Sequence, residues 1–261
     1  MLPSTINGLN SLPIEQKRKV FQKLVPKEIL ELFHISPDLY DEHGRDLFVI
    51  RSTPGKSDVE VELYHQYGFQ DPITYGHISD TITGKLHILL YVMNDPASPR
   101  FDIDRMPDGA STKLGADKRN LDAEIAAMNS GFSPGQIRKG LHMVGEGIQA
   151  FEELVSSLGH DLYFVEPLYY HNAIIFERYG FAYQQGRRLM ERIHNGFQSD
   201  GDLLARLDGS NPFRGPEIAN SIRLRSWAVH DGILGEHYDA VTMYKQIGRK
   251  SNLNTSGGTP W

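Results

Sequence analysis

At 261 residues the chain has room for one large domain or two small ones, and 39% hydrophobic with 23% charged residues is the composition of a globular protein whose core needs no covalent staple. It contains no cysteine, which excludes disulfides, thiolate metal sites and a cysteine nucleophile. The formal charge of -6 argues against nucleic acid as a partner, because neutralising phosphates takes a clustered basic face, and the short basic runs Arg187-Arg188 and Arg223 with Arg225 are not interleaved with stacking aromatics beyond Trp227. No apolar run is long enough to cross a bilayer, and Met1 to Asn10 lacks the character of a signal peptide. The expectation is therefore a cytoplasmic protein without a membrane partner.

The N-terminal segment predicts helices. Pro13 suits a first helical turn ahead of Ile14, Val20, Phe21 and Leu24, and Pro26 restarts the pattern with Ile29, Leu30 and Phe33. The period then changes to that of strands: Asp46 to Arg51, Val59 to His65, Ile73 to Ser79 and Lys85 to Met93, closely spaced in the manner of an antiparallel meander. Lys85 to Met93 (KLHILLYVM) is the most apolar and is expected at the centre of the sheet. Asn94 to Gly135 is long, polar and proline-bearing, with one helical stretch at Asn120 to Met128. A stretch of that length in a compact domain is either functional or mobile.

From Gly140 to Leu158 the apolar positions Leu141, Val144, Ile148, Phe151, Leu154 and Leu158 recur at intervals of three and four, which predicts an amphipathic helix stopped by Gly159. Leu162 to Val165 is a short buried strand, and Asn172 to Tyr179 a helix stopped by Gly180. Phe181 to Ile193 reads equally as strand or helix. Ser199 to Leu207 and Pro216 to Val229 predict helices, and Asp239 to Ile247 a final strand. The polar, glycine-bearing segment 251–261 is expected to be a disordered tail.

Two segments carry a resemblance: RKGLH at Arg138 to His142 and FERYGF at Phe176 to Phe181, separated by a long helix and a short strand. Together they resemble the central half of the GNAT acyltransferases. In that family a strand splays from its neighbour, a turn of the form Q/R-x-x-G-x-G/A opens a long helix, and a strand and a short helix ending in aromatic-x-x-x-Gly-Phe follow. The closing strand DAVTMYKQI is similar as well. The resemblance implies an α/β (α+β) fold with a mixed, mostly antiparallel central sheet flanked by helices. It implies one domain over 1–250, with insertions near 94–135 and 195–237.

The resemblance further implies transfer of an acyl group, acetyl first among them, from acetyl-CoA or another acyl-CoA to a small-molecule or peptide amine within a ternary complex. Arg138, Lys139, Gly140, Leu141 and His142 would seat the diphosphate, because backbone N–H groups at a helix start point outward unsatisfied and the helix dipole favours an anion there. The family's Gln or Arg falls on Ile137 and its last small residue on His142, whose imidazole would either crowd the diphosphate or hydrogen-bond it. Asn172 has two readings, a donor to the pantetheine arm or a helix cap.

Many members of the family carry a tyrosine, as acid for the leaving thiolate, where this chain has Phe176. Tyr169, Tyr170 and Tyr179 are the candidate replacements, Tyr170 and Tyr179 first among them. Glu62, His87, Asp231 and Glu236 are candidates for a base that takes the acceptor's proton. The second reading is a GNAT-like module that binds CoA or another partner without turnover. His230, Asp231, Glu236 and His237 match no zinc spacing, and the chain has neither a nucleotide P-loop nor a nucleophile elbow. Association into oligomers is left open.

Overall fold

The computed structural model describes residues 2–115 and 118–261. The protein has a mixed α/β fold in which a mostly antiparallel, multi-stranded sheet is flanked by helices. The chain divides into two compact units: unit 1 is Met1–Ala97, Gly140–Glu166 and Tyr244–Arg249, and unit 2 is Ser98–Lys139, Pro167–Met243 and Lys250–Trp261. Nearly all of the stretch expected as a first insertion lies in unit 2, with residues 116 and 117 outside the described residues. Among the described residues no helix is long and apolar enough to cross a membrane.

Unit 1 opens with three short helices, α1 (Ile6–Asn10), α2 (Ile14–Phe21) and α3 (Lys27–Leu32). The start of α1 is held twice: Thr5 accepts from the Gly8 N–H, and the Asp80 carboxylate accepts from the Ile6 and Asn7 N–H groups at 2.7 and 2.9 Å. Four strands then run antiparallel as expected: β1 (Phe48–Ser52), β2 (Asp58–Leu63), β3 (Thr74–Asp80) and β4 (Leu86–Met93). β5 (Leu162–Val165) lies beside β4 in parallel, and β7 (Thr242–Gln246) beside β5.

The registers sort the side chains onto two faces. Val59, Ile78 and Ile88 share one row, and Asp58, Ser79 and His87 share a row on the opposite face. His77 opposes Leu90 while Ile78 opposes Ile88, so Leu89 is the extra residue of a β-bulge and the alternation of β4 changes phase there. Val59, Val61, Leu63 and Ile78 are buried. Their face carries the helices: α1 contacts β2 and β3, and Phe151 of α5 (Val144–Ser157) meets Tyr163 of β5 at 5.0 Å. Each fully buried Phe, Leu or Val in this layer contributes about 1.5–3 kcal/mol of transfer free energy, which sets the strand register.

Unit 2 contains α4 (Leu121–Asn129), α6 (Tyr170–Arg178), β6 (Ala182–Gln185), α7 (Arg187–Gly196), α8 (Asp202–Ala205) and α9 (Ile222–His230). β6 neighbours β7, whose first residues Thr242 and Met243 belong to this unit. The ambiguous run after Phe181 is thus strand first and helix second, divided at Gly186 in a left-handed conformation. The long polar stretch before α5 is tied to α9: Trp227, fully buried, donates from Nε1 to the Phe132 carbonyl at 2.8 Å and stacks on Phe213.

The segment after Ser251, expected as a disordered tail, is hydrogen-bonded along its length. The Ser251 N–H donates to the Gly180 carbonyl at 2.9 Å, Thr255 donates to Glu177, and the Pro260 carbonyl accepts from the Ile222 N–H at 2.8 Å.

Candidate functional site

The partnering of β4 changes along its length. It pairs with β5 at His87↔Phe164 and Ile88↔Val165, and the Glu166 N–H donates to the Ile88 carbonyl at 3.1 Å. From Leu89 onward no further β4–β5 rung occurs among the described residues. At the far end the strand gains a new partner: Gly140 forms an antiparallel bridge with Asn94, and the Leu141 N–H donates to the Met93 carbonyl at 3.3 Å. Between these two points the apolar residues Leu89, Leu90, Tyr91 and Val92 are all half-buried. β5 ends at Val165, so beyond Ile88 the edge of β4 runs without a β5 rung among the described residues until Gly140 and Leu141 meet its far end.

The first turn of α5 follows directly from that far end. The helix opens at Val144, four residues later than expected from the apolar period, because Gly140 and Leu141 are drawn into pairing with the end of β4 and His142 turns through a left-handed conformation, φ 60°. Its N-cap, Met143, supplies no side-chain hydrogen bond, so the amides of Val144, Gly145 and Glu146 have neither an intrahelical partner nor a capping side chain. Gly147 brings the helix close to the strand: a Cβ there would stand 2.7 Å from Tyr91 Cε1 and 3.4 Å from Met93 Cε.

This geometry changes where the turn pattern falls. With the helix starting at Val144, Q/R-x-x-G-x-G/A is better met by His142-Met143-Val144-Gly145-Glu146-Gly147, with both small positions filled by glycine. Placing Gly140 at the fourth position left Ile137 and His142 as departures. Gly140 has no positive φ that would demand glycine, and the Leu141 amide is already committed to Met93. Gly145 and Gly147 stand in the first turn of α5 at a G-x-G spacing that is visible in the sequence.

The other expected site residues fall as follows. The chain passes from unit 2 to unit 1 between Lys139 and Gly140. Within unit 2 the Arg138 guanidinium donates to the Ser98 carbonyl at 2.7 Å, and the Lys139 amide to Ser98 Oγ at 2.9 Å, with the Lys139 side chain exposed. His142 is exposed. Asn172 is no cap: α6 begins at Tyr170 with Tyr169 as N-cap, and Asn172 Nδ2 lies 3.2 Å from His171 Nε2. Tyr170 is 0% exposed, and burial pushes its phenol up to about 12 even though Arg225 beside it pulls the other way. Tyr179 is half-buried just after α6, and Phe176 lies against Phe181 with ring centroids 5.0 Å apart.

Unit 2 also assembles a buried polar cluster that spacing alone did not reveal. Glu124 of α4, 2% exposed, accepts from His230 at 3.0 Å and from Arg119 Nε at 2.9 Å. Arg119 continues to Asp231 at 2.7 Å, and Asp231 takes Arg214 at 3.1 Å. Burial alone would raise the Glu124 carboxyl, but the bonds from His230 and Arg119 hold it below its ordinary value. Behind His230, the Tyr169 ring stands edge-on to it and stacks on His171, whose Nδ1 lies 2.8 Å from Ser226 Oγ. Burial, and the charge of His230, bring His171 down to about 3, so its imidazole is neutral. Every member has a partner, as in a bracing network that joins α4 to α9.

That bracing engages one of the four candidate bases: Asp231 is divided between Arg119 and Arg214. Glu236 is exposed. In unit 1 Glu62 is held by Arg51 at 3.1 Å and by the Tyr64 hydroxyl at 3.0 Å. The Nε2 of His87 is enclosed, 4.0 Å from Glu166 Oε2, without a hydrogen bond. Among the described residues no three His, Asp or Glu side chains gather as a metal site. Comparison with protein-family models, with curated proteins and with solved structures finds no match for this chain.

Proposed function

We propose that this chain is a GNAT-like N-acyltransferase that moves an acyl group from an acyl-CoA to an amine by direct attack in a ternary complex. The observation that carries the reading is the parting of β4 from β5 after two parallel rungs, with an uncapped helix start at the end of the parted strand. The CoA diphosphate would rest on the amides of Val144, Gly145 and Glu146, which need no particular side chain to hold an anion. The pantetheine amides would use the unpaired edge of β4, and the apolar residues Leu89 to Val92 would face its methylene groups. Holding both reactants at the parting of the strands converts a bimolecular aminolysis into an effectively unimolecular one.

One observation favours the runner-up, a CoA-binding module without turnover. The position where many GNAT enzymes carry a tyrosine acid is Phe176, packed on Phe181, and Tyr170 is sealed from solvent. Thermal melting with acetyl-CoA, CoA and longer acyl-CoAs, paired with thiol release across a panel of primary amines, separates the readings. A ligand at a hundred times its dissociation constant stabilises by about 2.7 kcal/mol, a shift that melting resolves. A shift with acyl-dependent thiol release supports the enzyme, a shift without release supports the binding module, and no shift with any of these ligands rejects both.

A further inference from the structure

We propose that His87 is the general base that takes the proton from the attacking amine, an inference that rests on the acyl-transfer reading above. His87 occupies the first of the two rungs that β4 shares with β5, opposite Phe164, so it stands beside the point where the strands part. Its row, Asp58, Ser79 and His87, is on the face opposite Val59, Ile78 and Ile88. Helices α1 and α5 pack on the latter face, α1 on β2 and β3 and α5 on Tyr91 and Tyr163. A diphosphate held by α5 would enter from the helix side, and an acceptor approaching from the other side would meet His87 first.

The ring is built for one-sided use. Nε2 is enclosed and 4.0 Å from Glu166 Oε2, which orients the imidazole without a hydrogen bond, and the side chain as a whole is 19% exposed. Nδ1, the ring nitrogen that does not pair with Glu166, is the one that would take the proton. Burial lowers His87 below its ordinary value more than Glu166 raises it, so the imidazole is neutral and able to accept a proton near pH 7. Its face also carries Asp58 and His77, 3.7 Å from each other, Glu60, which opposes both His77 and Arg51, Glu62, paired with Arg51 at 3.1 Å, and Lys85, 3.8 Å from Asp161. In the step, Nδ1 takes a proton from the acceptor's ammonium, the freed lone pair forms the C–N bond, and the C–S bond breaks to release the CoA thiolate. The thiolate is then protonated and the imidazolium returns its proton to solvent, so the sum is acyl-CoA plus ammonium giving amide, CoA thiol and one proton.

The test uses the full chain with acetyl-CoA and the amine that the wild-type protein acetylates fastest. His87→Gln should keep the acetyl-CoA melting shift, lower kcat by about a hundredfold or more, and lose the rise in kcat with pH expected of the wild type below pH 6.5. Glu166→Gln, at an exposed position, supplies a second reading that does not depend on how well the first variant folds. It removes the carboxylate that raises His87, so the inflection in kcat should move to lower pH. A kcat for His87→Gln within threefold of wild type, or an inflection that stays in place in Glu166→Gln, overturns the assignment while leaving acyl transfer intact. A wild-type protein that shows no acetyl-CoA shift and no thiol release overturns the acyl-transfer reading itself, and this inference with it.

Discussion

Gly145→Asp puts a carboxylate on the second residue of α5, where the structure and the proposed ligand make opposite demands. For the folded protein the change is favourable. Gly145 lies in the uncapped first turn, where an acidic side chain gains about 0.3–1 kcal/mol from the helix dipole. Replacing glycine in a helix gains a few tenths more, since Asp lies above Gly in helix propensity by roughly 0.3 kcal/mol. For a bound diphosphate it is strongly unfavourable. Two like charges about 4 Å apart repel by about 4 kcal/mol at an effective dielectric of about 20, which exceeds the ~2.7 kcal/mol that a ligand at a hundred times its dissociation constant contributes. The unliganded variant should therefore melt at or slightly above the wild-type temperature, and the shift with acetyl-CoA should vanish. Melting with and without 1000-fold dilution of the ligand series measures both quantities on one instrument. An undiminished acetyl-CoA shift in a variant that melts like the wild type would refute the placement of the diphosphate at this helix start.

Two further outcomes concern unit 2. Thr255→Val removes the hydroxyl that donates to Glu177 at 2.7 Å; Glu177 is 4% exposed and also accepts from the Thr255 amide and from Tyr183. A hydrogen bond to a buried carboxylate contributes about 1.5–3 kcal/mol, and urea unfolding should show a loss of that size, whereas a variant as stable as wild type would mean that the final segment does not brace α6. Acid should weaken the same unit through two groups. Glu124 is held below its ordinary 4.5, so its contribution is present above that value and fades as pH falls through its lower folded value. His171, at about 3 when folded against 6.5 when unfolded, favours the unfolded chain as pH drops below 6.5, until both states are protonated near 3. Stability measured from pH 7 to pH 4 should decline, and Glu124→Gln should flatten the portion below 4.5; a profile flat across this range contradicts both assignments.

What was legible in the sequence follows the distance over which each feature is decided. β5 is delimited by its own apolar run and flanking Glu166-Pro167, and its expected limits are those observed. The four-stranded meander was legible because each strand pairs with its chain neighbour. The start of α5 was not, since the apolar period runs back through Leu141 and only pairing with Met93, far earlier in the chain, pulls that residue out of the helix. The division at Gly186 was hidden because β6 is only four residues long, too short for a period to declare itself. The bonds between Glu124 and His230, 106 positions apart, and between Thr255 and Glu177, 78 apart, leave no local trace. A polar, glycine-bearing segment such as 251–261 has the composition of a disordered tail whether or not a buried carboxylate waits to bind it.

The absence of a tyrosine at Phe176 weighs less against catalysis than it first suggests, because the two proton transfers in N-acylation are not equally demanding. A CoA thiolate leaves readily without assistance, since a thiol near its ordinary pKa of about 8.5 is a far better leaving group than an alkoxide. An alkylammonium near 10.4 cannot attack until it loses its proton, so a base serves the step that an acid does not need to. The titratable groups are distributed accordingly. Tyr170 is sealed, while His87, whose Nε2 makes no hydrogen bond and lies 4.0 Å from Glu166, stands opposite Phe164 on the face of the sheet away from α1 and α5. A protein that only stored CoA would have no use for a neutral imidazole in that position, and the kinetics of His87→Gln bear on this choice more directly than any substitution at Phe176.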